Sequence, residues 1–273
     1  MKKYILMIWC LVLTAQASQA QSDSPYRTKF AIDAPITAAG MGLSYYGLTR
    51  MQDKDGLTEE QIANLNKNQV NSFDRFSAGW DSDQAKKVSD FPFYGSFALP
   101  LVLVAFDDDV RSNAGQVLGM YVQTMAITGA LFTMSSGFNP RTRPLVYSPD
   151  VEMGDKMRAN ARNSFYAGHT TAAAAASFFF AKVFHDFNPD SPARPYVWVG
   201  AATVPAAVGY LRLRAGKHFL SDNLLGYAIG SAVGILVPQL HKKSNDSGFS
   251  LNPTIIPTFN GTASQGANLS YIF

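Results

Sequence analysis

The stretch LRLRAGKHFLSD, residues 211–222, decides the reading of this chain. Arg212, His218 and Asp222 stand in it with five and then three residues between them. If the following helix starts near His218, Asp222 lies one turn on and shares its face, so its carboxylate can accept the imidazole N–H. That bond fixes the tautomer and leaves the other ring nitrogen free as a nucleophile or base. An arginine close by supplies a planar fork that matches phosphate oxygens. A histidine and an aspartate at this spacing are also common as a plain surface pair, so the string needs support from elsewhere in the chain.

Support comes from the string NSFYAGHTT, residues 163–171, just ahead of an alanine-rich run. Gly168 permits a close backbone approach, and the N–H groups of a helix start suit an anion. His169 is thereby placed to protonate a leaving oxygen. A third piece, Arg141-Thr142-Arg143-Pro144, follows a long apolar segment. Pro144 is expected to halt that helix, and Arg143 to point into the same opening. His185 and His241 lack such a setting and read as structural or exposed.

Six apolar segments frame these motifs: 30–49, 91–106, 112–140, 170–184, 196–211 and 223–240. Each is long enough for a helix, although several carry Gln, Asn, Ser or Thr inside. The Ala172–Ala176 run has high helix propensity, and its small side chains allow a neighbouring helix to come close. Between the first two segments lies a polar stretch in which Leu57 and Thr58-Glu59-Glu60-Gln61 fit a capping box. Asp53, Asp55 and Gly56 match half of a calcium loop, but Met51 and Ile62 stand where that loop needs carboxylates, so an ordinary turn is the better reading.

Arg-Pro, then Gly-His, then Arg-x5-His-x3-Asp, in this order and each at a helix end, resembles the phosphatidic acid phosphatase type 2 and vanadium haloperoxidase superfamily over roughly residues 90–240. The resemblance implies an all-α fold, a bundle of about six main helices, here with a short C-terminal β-hairpin added. It implies a phosphatase acting on a phosphomonoester or diphosphate, with His218 as nucleophile forming a phosphohistidine and Asp222 as its orienter. His169 is then the acid and later the base. Arg143, Arg212 and the Gly168 N–H hold phosphate, with Arg141 as a further phosphate contact. No metal or other cofactor is implied. Three positions depart from the family pattern: Ser136 where it has lysine, Ala167 where it has serine, and Leu211 where it has serine. A non-catalytic phosphate- or lipid-binding protein, or a vanadate-dependent haloperoxidase, are the alternatives on the same scaffold.

Composition bounds the rest. In 273 residues only 16% are charged and 47% are hydrophobic, which leans toward contact with a membrane, while mean hydropathy stays close to zero. A net charge of +3, without a basic stripe, argues against nucleic acid. Lys2 and Lys3, the apolar run 4–13 and Ser18-Gln19-Ala20 have the layout of a cleavable secretory signal, which would remove Cys10, the sole cysteine. The expected organisation is a signal over 1–20, an N-terminal helix and polar surface segment over 21–90, a catalytic helical core over 91–245, and a tail or hairpin over 246–273. Thr254 to Phe259, Asn260-Gly261 and Leu269 to Phe273 carry the hairpin signal, with a loose tail as the alternative. The expected setting is the periplasm or cell envelope, the helical domain seated at a membrane surface, and the partner a lipid phosphate or diphosphate.

Overall fold

The structure, a computed structural model, describes residues 24–243, 250–257 and 263–270. Among these residues six long helices carry the chain back and forth: α1 (Phe30–Gln52), α3 (Asp83–Phe106), α5 (Ala114–Phe138), α7 (Gly168–Phe187), α8 (Arg194–Arg214) and α9 (Leu220–His241). Three short ones intervene, α2 (Glu59–Ala63), α4 (Asp108–Ser112) and α6 (Met153–Lys156). The all-α expectation holds, and each apolar segment became one long helix.

Small residues set how closely these helices approach. The Ala173–Ala176 side chains of α7 are fully buried, and α9 turns Gly230 and Gly234 toward this run and Gly226 toward Thr171 and Ala167 just before it. A methyl group on Gly234 would sit 2.5 Å from the Ala175 carbonyl oxygen, so α9 can lie on α7 only because those side chains are absent. Gly47 of α1 is likewise pressed on the Thr133 backbone of α5, where a Cβ would stand 2.5 Å from the Thr133 carbonyl carbon. An alanine there would push the two helices apart.

Two helix limits differ from expectation for local reasons. α3 begins at Asp83 rather than near residue 91, because the Ser82 side chain caps it by accepting from Ala85 N at 3.2 Å. Its first two turns are polar, so the apolar pattern missed them. α5 stops at Phe138, ahead of Pro140, and Pro144 opens a separate 3-10 turn instead of halting the helix. The capping box at α2 forms as expected, with Gln61 N donating to Thr58 Oγ1 and Thr58 N donating to Gln61 Oε1.

The bundle has two distinct ends. At one, Tyr26 donates to Asp186 at 2.7 Å, Lys242 lies 3.0 Å from the same carboxylate, and Arg27 N donates to His241 O. The start of α1 and the close of α9 are fastened there. At the other end Ala167 N, ahead of α7, donates to Asp222 O in α9, and Ser82 N, ahead of α3, donates to Arg214 O at the close of α8. Lys54, just past α1, donates to the Ser136 carbonyl near the close of α5. The loops over residues 139–167 and 215–219 also gather at this second end.

The polar segment before α3 is not the plain surface covering that its composition implies. Asp74 and Ser77 are fully buried, because this stretch folds over the second end and its polar groups find partners there. α3, α5 and α9 are long and apolar enough to cross a membrane. α3 leaves Phe91, Tyr94, Leu101 and Phe106 exposed, and α1 leaves Phe30 and Tyr45 exposed. Beyond α9, β1 (Ser250–Pro257) pairs antiparallel with β2 (Ala263–Ser270), in register from Ser250 opposite Ser270 to Pro257 opposite Ala263. The expected hairpin is therefore present, with strands that start earlier than the sequence signal. The Asn260-Gly261 turn, residues 271–273 and the signal over 1–20 with Cys10 lie outside the described residues.

Candidate active site

Residues 141–143 run beside 161–164 in a strand-like pairing. Arg141 N donates to Arg162 O, Arg143 N to Ala161 O, and Ser164 N to Arg141 O, at 2.8 to 3.0 Å. Leu145 N then donates to Gly216 O at 3.0 Å, which ties this loop to the turn after α8. Gly216 has φ +64°, in the left-handed region where side chains are strained, and a Cβ there would run into the Trp80 carbonyl. The three sequence motifs, separated by up to 81 residues from Arg141 to Asp222, are brought together by this backbone framework.

His218 lies in the turn before α9 and is 2% exposed. Its Nδ1 stands 2.7 Å from the Ser164 carbonyl oxygen. A carbonyl oxygen only accepts, so Nδ1 carries the proton and Nε2 keeps its lone pair. Burial, together with the positive charge of Arg143 and Arg212, pushes the His218 pKa well below its usual value. The imidazole is thus neutral, in one tautomer, with a free nitrogen.

Asp222 does not make the bond to His218 that the spacing predicted. α9 begins at Leu220, so His218 precedes the helix and the one-turn relation between the two fails. Asp222 is instead the third residue of the first turn, where its carboxylate accepts from Phe219 N at 3.0 Å and from Ser164 Oγ at 2.7 Å. It holds both the residue after His218 and the residue whose carbonyl holds His218.

Arg141 is also corrected. Its guanidinium contacts the Asp222 carboxylate, donates to Asp74 at 2.7 Å and to Ser221 Oγ at 3.0 Å, and lies 4.6 Å over the Phe219 ring. Two fully buried carboxylates, Asp74 and Asp222, take up its charge. It supports the site and is not available to phosphate.

Arg143 and Arg212 are in a different state. They are 8% and 6% exposed, yet the Nε of each has no hydrogen-bond partner among the described residues. Arg143 donates to Asn163 O at 3.3 Å. The carboxylate nearest in contact with Arg212 is Asp90, at 3.9 Å. Burial and the charge of Arg212 bring Arg143 down to about 9. Both line a cleft of about 540 Å³ that opens between the start of α3 and the loops over residues 150–161.

His169, the second residue of α7, stacks on Phe93 of α3 with ring centroids 4.2 Å apart. Burial, then Arg212 and Arg143, lower its pKa to about 3. Gly168 is the first residue of α7, so its N–H has no acceptor within the helix. A Cβ at Gly168 would sit 2.5 Å from the Phe132 ring, which explains the glycine by packing as much as by an anion. His185 and His241 are structural, held by Trp198 and Arg194 and by Asp33 respectively.

Several contributors gave no sequence signal. Ser164 acts through its carbonyl, which every residue possesses. Asp74 comes from the polar segment. Lys54 donates to Asn163 Oδ1 at 2.8 Å and so steadies the residue that holds Arg143. Lys217, next to His218, lines the same cleft as the two guanidiniums.

The family model described as "PAP2 superfamily" matches residues 115–246, which contain every expected site residue. No curated protein matches the chain significantly. A solved structure, the transmembrane PAP2 type phosphatidylglycerolphosphate phosphatase from Bacillus subtilis, is similar at 16% identity and a TM-score of 0.36, over 86% of this chain and 94% of that one.

Proposed function

We propose, on the premise that residues 115–246 form a PAP2-superfamily region, that the protein is a phosphatase that hydrolyses a lipid phosphomonoester or diphosphate through a phosphohistidine. The observation that carries this reading is the pair of buried, incompletely partnered guanidiniums beside a neutral histidine of fixed tautomer. Unpaired buried donors are rare and expensive, and a tetrahedral anion is the partner that would satisfy both at once.

In the proposed reaction Arg143 and Arg212 hold the phosphoryl oxygens, and the His218 Nε2 lone pair attacks phosphorus as the bond to the leaving alcohol oxygen breaks. His169 gives that oxygen a proton. Water, deprotonated by His169, then cleaves the phosphorus–nitrogen bond and releases inorganic phosphate. Burial and the two guanidiniums keep His169 neutral. An incoming phosphate offsets their charge and favours the imidazolium that the first step needs. Asp222 and Arg141 act through others: they fix Phe219 and Ser164, and these fix His218.

Apolar exposed helices support a lipid as the rest of the substrate and an envelope location, with export directed by residues 1–20 and cleavage after Ala20. The fold adds a constraint. Residues 24–29 lie at the end of the bundle away from the cleft, so a bundle that crossed the bilayer after an exported start would turn the cleft to the cytoplasm. A cleft on the exported side requires a bundle seated on the membrane surface. Single cysteines placed at Asp155 and Lys243 and probed with an impermeant thiol reagent in intact cells distinguish the two: labelling at both supports surface seating, and labelling at Lys243 alone supports crossing.

The enzymatic reading is tested by phosphate release from purified protein in detergent with phosphatidate, a prenyl diphosphate and a lipid A phosphate. Release by the parent and none by His218→Ala supports it. Equal, background-level release by both overturns it.

A further inference from the structure

Beyond Arg143 and Arg212 the cleft is lined by Lys86, Arg158 and Lys217, of which only Lys217 is not exposed. Lys217 is partly buried and lines the cleft together with Arg143 and Arg212. Among the described residues its ammonium has no ion pair or hydrogen bond, whereas those of the buried Lys182 and of the partly buried Lys54 and Lys242 each contact an oxygen. Its backbone explains its position: Lys217 N donates to Arg212 O at 3.1 Å, and the left-handed Gly216 turns the chain back over the end of α8.

From this juxtaposition, and on the reading of the cleft as a phosphate site, we propose that Lys217 is a phosphate-binding residue that completes a three-cation clamp with Arg143 and Arg212. Its role is distinct from that of its neighbour His218. The histidine supplies the attacking lone pair, and the lysine supplies a point charge with freely rotating donors that can follow an oxygen as the phosphoryl group moves between leaving alcohol and His218. Ser136, near the close of α5, brings no charge to the site, and its buried hydroxyl has no partner among the described residues.

The surroundings make this clamp dependent on pH. Burial, then the charges of Arg143, Lys86 and Arg212, lower the Lys217 pKa to about 8, opposed by Asp83. Across the cleft stand Asp150, Glu152 and Asp155, the last paired with Arg158. Below a pH of about 8 the ammonium is charged and holds the anion. Above it the amine is neutral and the third contact is lost, while Arg143 stays charged up to about 9.

The test is calorimetric titration of the full chain in detergent with inorganic phosphate between about pH 7.5 and about pH 8.5, a range in which the ligand stays mainly a dianion and Arg143 stays charged. The parent should lose affinity across this range. Lys217→Met should bind about tenfold more weakly at the lower pH, the effect of one charge-assisted contact, and lose the fall at the higher. Lys217→Arg should keep the affinity and flatten the fall, and it decides the matter alone if the methionine variant does not fold. Parent binding that both variants reproduce, with the same pH dependence, overturns the Lys217 assignment and leaves the phosphatase reading standing. A parent that binds no phosphate at any pH overturns both.

Discussion

Both ends of the helical bundle bury cations, and they treat them in opposite ways. At the end where the chain enters α1 and leaves α9, Lys182 and Lys242 share the fully buried Asp186, which also accepts from Tyr26. Both lysines there have a counter-charge within the protein. At the cleft end Arg143 and Arg212 are as deeply buried as Lys182, but among the described residues each keeps an Nε–H without an acceptor. The first cluster is a fastening and is complete without any ligand. The second leaves two buried guanidinium donors unpaired among the described residues, an arrangement that an anion from outside the fold would complete.

Mutations can break this contrast at either end. The largest effect is expected at the cleft: His218→Ala should lower phosphate release by at least about a thousandfold, because no other group offers a neutral nitrogen in that position. Arg212→Met should lower kcat/KM by about a hundredfold or more, while its thermal melting point without ligand stays level or rises, since an incompletely paired buried charge is removed. Lys182→Met should do the reverse. It leaves Asp186 short of one partner and should cost about 2–3 kcal/mol in chemical denaturation, with activity per folded molecule unchanged. A loss of stability in Arg212→Met equal to that in Lys182→Met would erase the distinction between the ends.

Arg141→Gln probes the support beneath the site. Removing this charge strands Asp74 and Asp222, and a loss of about 2 kcal/mol is expected, together with a lower kcat, since the Ser164 carbonyl that fixes the His218 tautomer loses its anchoring. Phosphate affinity should fall much less than in Arg212→Met, because Arg141 is already engaged by carboxylates.

The smallest expected effect is that of pH on stability. His169 and His218 are both lowered by burial and by the neighbouring arginines, so the folded protein leaves them neutral while the unfolded chain protonates them below about 6.5. Their contribution is therefore intact above that pH and is lost as pH falls through the range from about 6.5 toward the His169 value of about 3. Thermal melts at pH 7.5 and 5.5 should show the decline. Saturating phosphate should lessen it, since a bound anion favours the protonated histidines.

The sequence showed some of these features and hid others for identifiable reasons. Arg212, His218, His169 and Arg143 were legible because each sits at a helix limit marked by a change from apolar to polar sequence, and the structure brings all four to one end of the bundle. The partners of Asp222 and Arg141 were misread. Where α9 begins decides whether Asp222 faces His218 or caps the helix, and a shift of two residues from the expected start at His218 to Leu220 changes its role. Arg141 looked like a phosphate ligand because nothing in the local sequence announces Asp74, which arrives from 67 residues away. Lys217 went unnoticed because a lone lysine beside a histidine carries no pattern, and only the shared cleft gives it meaning.

The central claim is that His218 takes the phosphoryl group itself. The most direct test is a rapid acid-free quench of the purified protein during turnover of a phosphate-labelled lipid, followed by detection of acid-labile, base-stable phosphate on the chain. The account predicts label on the parent, mapped to the peptide containing His218, and none on His218→Ala. Phosphate release by the parent without any trapped label, or label that persists in His218→Ala, would contradict it.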